Sequence, residues 1–196
     1  MREPRVIPML TLMGEGLYRT IGFKKPVYVG DPINAVKLFN DKEVDELIIA
    51  DISTDRDSGG IQYQLLEDLA TEAFMPMAYA GRIASVAQAE RLFRIGYEKI
   101  VLNTAALDYD LIGDLAARFG TQSCVVSIDV GKPRFGKLQV MVECGRRKTG
   151  LDPIEHLARC QSAGAGEIIL RSIAKDGTMS GYDLDLITRD EQVAEV

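Results

Sequence analysis

Histidine occurs once in the 196 residues, at His156, and cysteine three times, at Cys124, Cys144 and Cys160. A single imidazole excludes a Ser-His-Asp triad anywhere but around that residue, and any metal site that needs two imidazoles. The cysteines form no Cys-x-x-Cys pair and their number is odd, so reduced thiols in a cytosolic protein are expected rather than a disulfide framework. No apolar run approaches the ~18 residues of a membrane span, and the opening MREPRVIPML lacks a signal peptide's apolar stretch. Basic residues are outnumbered, 23 against 29 acidic ones, for a net charge of −6. That sign argues against nucleic acid or an anionic membrane as partner, while a local basic site can still hold a phosphate. No metal and no cofactor is expected, so the chemistry falls to carboxylates, lysines, hydroxyls and backbone amides.

What is abundant is apolar: 46% of the chain, enough for the core of one domain. Short, nearly continuous apolar runs at 5–12, 47–52, 76–80, 99–103, 124–129 and 167–172 read as strands of a parallel sheet, buried on both faces. Helical patterns lie between them at 32–42, 63–73, 86–95, 111–119 and 153–163. Asp31-Pro32 and Asp152-Pro153 are start signals and Gly96, Gly120 and Gly164 stop signals. The run 137–142 reads as part of a hairpin inserted after the fifth strand.

An internal repeat chooses among α/β folds. Gly30-Asp31-Pro32-Ile33 returns as Leu151-Asp152-Pro153-Ile154, and Asp45-Glu46-Leu47-Ile48-Ile49 as Gly166-Glu167-Ile168-Ile169-Leu170, both at a spacing of 121 residues. Two copies of a βα series describe a (β/α)8 barrel assembled from halves. The expectation is one incomplete barrel domain over 1–196, with halves 1–120 and 121–196. The last two βα units are missing, so sheet edges are open to self-association.

In such folds function sits at the C-terminal strand ends. Asp129 closes the apolar run from Cys124 and is a candidate proton shuttle, against the alternative of a loop cap. Asp51 and Asp55 either orient the loop between Ser53 and Gly60 or touch substrate, the former being favoured. Gly81, Asn103 and Thr104 resemble a phosphate cradle, as do Asp176, Gly177 and Thr178, with a plain Asp-Gly turn as competitor. Arg19, in the long first loop, either reaches a second anion or is a solvated charge. At the opposite strand ends, Arg5, Glu46, Lys99 and Glu167 form either a stabilising ion-pair ring or the gate of a passage. His156 is expected on the surface or in helix packing, without a functional role.

These segments resemble the cyclase subunit of imidazole glycerol phosphate synthase, a (β/α)8 barrel of histidine biosynthesis. The resemblance rests on Arg5-Val6-Ile7-Pro8, Gly30-Asp31-Pro32, Asn103-Thr104-Ala105-Ala106, Ile128-Asp129, Gly164-Ala165-Gly166-Glu167 and Asp176-Gly177-Thr178 through Asp183. It implies a glutamine amidotransferase docked on the N-terminal face and a small phosphorylated substrate at the other end. It also implies ammonia passing a gate at Arg5, Glu46, Lys99 and Glu167, an acid/base at Asp129, and phosphate sites at Gly81, Asn103, Thr104, Gly177 and Thr178. The family's second catalytic aspartate falls on Thr11, whose hydroxyl cannot replace a carboxylate as proton acceptor. Arg19 stands for the first loop's lysine, and Ala80-Gly81-Arg82 for a glycine-rich turn. The resemblance therefore implies ammonia handling with impaired cyclase chemistry, as in the branch linked to surface-polysaccharide synthesis, where ammonia goes to a nucleotide-activated sugar. The alternatives are an ordinary cyclase of histidine synthesis that tolerates Thr11, and a catalytically inactive phosphate-binding or activating partner.

Overall fold

The computed structural model describes residues 4–53, 60–133 and 136–191. The chain divides into two compact units: Met1–Arg19 with Val27–Val101, and Thr20–Pro26 with Leu102–Val196. No helix among the described residues is long and apolar enough to cross a membrane.

The first unit is a parallel sheet with helical crossovers. Strand β1 (Met9–Met13) pairs in parallel with β4 (Leu47–Asp51), β4 with β5 (Met77–Ala80), and β5 with β6 (Lys99–Leu102). Leu47, Ile49, Ala78 and Ile100 have at most 1% of their surface exposed, because both faces of the sheet are covered. The crossover helices are α1 (Pro32–Asp41), α2 (Tyr63–Glu72) and α3 (Val86–Arg94). Asp31 caps α1 by accepting from Asn34 N, as its start signal implies, and Ser85 caps α3 by accepting from Gln88 N.

One element differs from its expected form. The first loop is a hairpin, β2 (Gly16–Ile21) followed by β3 (Lys24–Gly30). β1 turns into β2 through Gly14 at φ 59°, and β2 into β3 through Gly22 and Phe23 at φ 57° and 62°. Two positive φ angles in a two-residue loop suit the right-handed twist of the strands it joins. Arg19 is consequently an exposed residue of β2 and not of a loop.

The second unit holds β7 (Cys124–Gly131) and β10 (Glu167–Ser172), paired in parallel from Val125 opposite Glu167 to Val130 opposite Ser172. In the inserted hairpin, β8 (Gln139–Val142) pairs antiparallel with the last residues of β7, from Asp129 opposite Met141 to Gly131 opposite Gln139, and β9 (Arg147–Lys148) pairs with β8. Helices α4 (Tyr109–Phe119), α5 (Pro153–Ala163) and α6 (Leu184–Glu191) complete it. Asp152 accepts from Ile154 N at 2.9 Å, and Gly164 ends α5 in the left-handed region at φ 114°. His156 is buried on α5, its Nδ1 2.8 Å from the Tyr109 hydroxyl on α4, which is a helix-packing position. Burial holds it below the ordinary histidine pKa, so it packs as a neutral ring.

Candidate active site

Asp129 lies one residue past Ile128 in a strand buried from Cys124 to Val130. Its register partner on β10 is Arg171, so the two side chains share one face of the sheet, and Arg171 Nη1 stands 3.8 Å from Asp129 Oδ1. The other carboxyl oxygen accepts from Asn103 Nδ2 at 3.2 Å, and the same amide donates to Ser127 O at 2.8 Å. Oδ1 has no hydrogen-bond partner among the described residues. Burial pushes the Asp129 carboxyl up to about 6, against the lowering pull of Arg171 and of the Asn103 bond. A carboxyl poised near neutrality with one free oxygen can both accept and release a proton.

Around it the second unit brings together the loop after β10 and the hairpin tip. Arg171 Nη2 donates to Asp176 Oδ1 at 3.2 Å, and its guanidinium lies 4.4 Å from the centre of the Phe23 ring. Thr20 donates to Asp176 Oδ2, and Gly22 N to Asp176 O. Gly177 adopts φ 67°, and a Cβ there would fall on the Thr20 carbonyl. Asp183 accepts from Ser172 Oγ at 2.7 Å. A cleft of about 350 Å³ opens beside Leu170, Arg171, Ser172, Asp176, Tyr182 and Leu186.

The expected phosphate residues take several positions. Asn103 spends its amide group on Asp129 and Ser127. The exposed Thr104 hydroxyl accepts from Glu143 N at 3.0 Å. Thr178, also exposed, donates to Lys175 O and lies 2.7 Å from Ser180 Oγ. Gly81 and Arg19 belong to the first unit. Gly81, at φ 148°, lies so close to Asp51 that an added Cβ would stand 2.7 Å from Asp51 Cβ. Asp51 caps the start of its loop, Oδ1 accepting from Ser53 N at 2.8 Å, while Arg82 stands 4.0 Å from Oδ2. Its companion Asp55 lies outside the described residues.

Thr11, expected at a strand end, lies in the middle of β1 opposite Ala50 and donates its hydroxyl to Tyr18 O on β2. On the N-terminal side of the first unit, Glu46 is 4% exposed and takes Lys99 Nζ at 2.7 Å and Arg5 Nη1 at 3.4 Å on one oxygen, Oε2. Arg5 precedes β1 by several residues, held there by Val6 N donating to Asp45 Oδ2. Glu167, the fourth of that set, opens β10 in the second unit, half-buried.

Arg171, Thr20 and Phe23 were absent from the candidate list. A lone arginine between Leu170 and Ser172 in an otherwise apolar strand is a signal the sequence carries. The approach of Thr20 and Phe23 is not, because it depends on the hairpin.

Residues 5–195 match a family of histidine biosynthesis proteins. The chain belongs to that family. Its (β/α)8 barrel fold accounts for strand ends that gather carboxylates, small residues and an arginine. Among relatives in this histidine biosynthesis family, one from Pseudomonas aeruginosa is named "Putative imidazole glycerol phosphate synthase subunit hisF2". It is 47% identical over 93% of this chain and 73% of its own length. A hisF3 counterpart from Vibrio vulnificus is 43% identical over the whole of this chain and 76% of its own. A Kineococcus radiotolerans protein named imidazole glycerol phosphate synthase subunit HisF is 36% identical over 94% of this chain and 74% of its own.

Proposed function

We propose that this chain is a cyclase-type subunit that receives ammonia from a glutamine amidotransferase and passes it on for sugar amidination rather than imidazole formation. One observation carries the reading. Asp129 is a carboxyl that burial holds near neutrality, while Thr11, where the family has its second carboxylate, spends its hydroxyl on a backbone carbonyl. Ring closure to an imidazole needs proton traffic at two places; release of ammonia beside one acid needs less. The relatives' names support the general class, since they refer to imidazole glycerol phosphate synthase subunits.

The route for ammonia in this reading begins between Lys99 and Glu46. A carboxylate 4% exposed and held by two cations is costly to desolvate and strained toward any arrangement that rehydrates it. Such a closed ion cluster suits a gate that a docked amidotransferase shifts. The small phosphorylated group would sit at Gly177, Thr178 and the amides of the loop after β10, with Asn103 reserved for orienting Asp129. Gly81 and Arg19 in the first unit, and Thr104 in the second, are each separate candidates for contact with an anion.

The test is turnover of the histidine-pathway substrate with ammonium salt, together with rescue of a histidine auxotroph that lacks its cyclase. Native protein is expected to fail in both, and Thr11→Asp to regain measurable turnover. Vigorous activity of the native chain would overturn the amidination reading in favour of an ordinary cyclase. Stimulation of glutamine hydrolysis in a cognate amidotransferase is expected in the same preparation, and its absence would remove the ammonia reading altogether.

A further inference from the structure

Arg171 stands between two carboxylates, and its distances to them are unequal. It donates a hydrogen bond to Asp176 at 3.2 Å, yet stops 3.8 Å from Asp129 Oδ1, beyond bonding range but well within reach of its charge. The Phe23 face 4.4 Å away and the Thr20 bond to Asp176 fix both the guanidinium and its acceptor. Asp129 thus feels a cation without being bonded to it, and its Oδ1 stays free.

We propose that Arg171 is a positioning residue that sets the working state of Asp129, with Asp176 and Phe23 holding the guanidinium off the carboxyl. The inference rests on reading Asp129 as the proton-transfer group, because only then does the state of that carboxyl bear on a reaction. Full closure of Arg171 onto Asp129 would make a fork-shaped pair and lock it as a carboxylate, unable to deliver a proton. Removal of Arg171 would leave burial opposed by the Asn103 bond without a cation beside it, and shift the carboxyl toward the protonated form, unable to accept a proton. Asp176 enters twice, as the anchor of Arg171 and as a like charge that disfavours ionisation of Asp129.

Among the described residues, four groups face Asp129. Arg171 reaches it from β10 and Asp176 from the following loop. Asn103 reaches it from the end of β6, and β8 contributes the apolar Met141 opposite it. Of these, Arg171 and Asp176 are the charged ones, and they act in opposite directions. Substituting each therefore has an opposite expected sign, which a merely structural ion pair would not produce.

The experiment is a carboxyl-carbon NMR titration of the full chain labelled with ¹³C-aspartate, the Asp129 signal being assigned by its loss in Asp129→Asn. In Arg171→Met the Asp129 midpoint is expected to rise by about one pH unit. In Asp176→Asn it is expected to fall by about as much, since a repelling charge is lost and Arg171 is freed to close. Arg171→Lys, which keeps the charge but not the fork, is expected between native and Arg171→Met, and it serves if the methionine variant does not fold. Midpoints that stay at the native value, or that move the same way in Arg171→Met and Asp176→Asn, would overturn the proposal. Coupled titration in a chain that transfers no ammonia would remove the role of Asp129 in the reaction and leave that of Arg171 standing. Ammonia transfer with uncoupled titration would do the reverse.

Discussion

At the scale of single residues, Asp129 is kept where its charge is least welcome. The carboxyl is 3% exposed, and among the described residues Asn103 is its hydrogen-bond donor. A midpoint raised to about 6 means that the folded chain holds a proton there which the unfolded chain has already released. Between about pH 4 and pH 6 the folded state therefore binds more protons than the unfolded one, and stability falls as pH rises through that window. Below it both states are protonated and nothing is lost; above it the full cost, about 3 kcal/mol, is present. Asp129→Asn removes the titration. The variant is expected to gain on the native chain by roughly that amount between pH 4 and pH 7, as read by urea unfolding at each pH. A constant difference across the range would show that burial does not hold the carboxyl protonated. Such a residue, destabilising where it stands, fits a site whose chemistry needs a group that can take up and release a proton close to physiological pH.

At the scale of elements, the loop after β10 docks on the hairpin tip by backbone and not by large side chains. Gly22 N donates to Asp176 O at 3.0 Å, and Gly177 lies directly against the Thr20 carbonyl. Gly177→Ala adds a side chain at φ 67° and pushes it into that carbonyl, a cost of about 2 kcal/mol or more. Because the contact is local, the expected result is release of the loop, not unfolding. Hydrogen exchange at the Gly22 amide should accelerate by at least about tenfold, with exchange in β7 unchanged. Unaltered Gly22 protection would mean that something other than this approach holds the loop.

The same elements show where the sequence was legible and where it was not. The strands beginning at Leu47, Lys99 and Cys124 could be read because burial on both faces leaves an apolar run, and the half-buried one beginning at Glu167 from its Ile168-Ile169-Leu170 stretch. The helices after Asp31 and Asp152 could be read because each of these side chains satisfies an amide that would otherwise lack a partner. Asp129 was found by the same logic, as the first charge after such a run. The β2–β3 hairpin escaped because Gly-Phe is not one of the common turn pairs, and because all of β3 before Gly30 is exposed and so lacks alternation. With the hairpin went Thr20 and Phe23, and with them the anchoring of Arg171. The bond from Asn103 to Asp129 escaped for another reason: the residue type announces a polar contact but not which one.

At the scale of the whole molecule, two properties oppose each other. The net charge of −6 keeps copies apart, whereas β3 offers a strand edge on which they can pair. Among the described residues β3 neighbours only β2, and Val27, Tyr28 and Val29 are 49%, 60% and 54% exposed. Lys24, Lys25 and Pro26 guard the first half of that edge, since charge and a missing N–H both discourage an added strand, but the second half is unguarded. Repulsion between like-charged copies is screened by salt, with a reach of about 10 Å at 0.1 M, while pairing through backbone and apolar side chains is not. Association is therefore expected to strengthen as salt is raised, the opposite of an interface made from ion pairs. Sedimentation velocity should show a mass above 21.6 kDa that grows with protein and salt concentration. Val29→Lys, which extends the guarded stretch, should return the chain toward its single-copy mass. A mass of 21.6 kDa at every salt concentration, or association that weakens with salt, would show that β3 is not the edge through which copies meet.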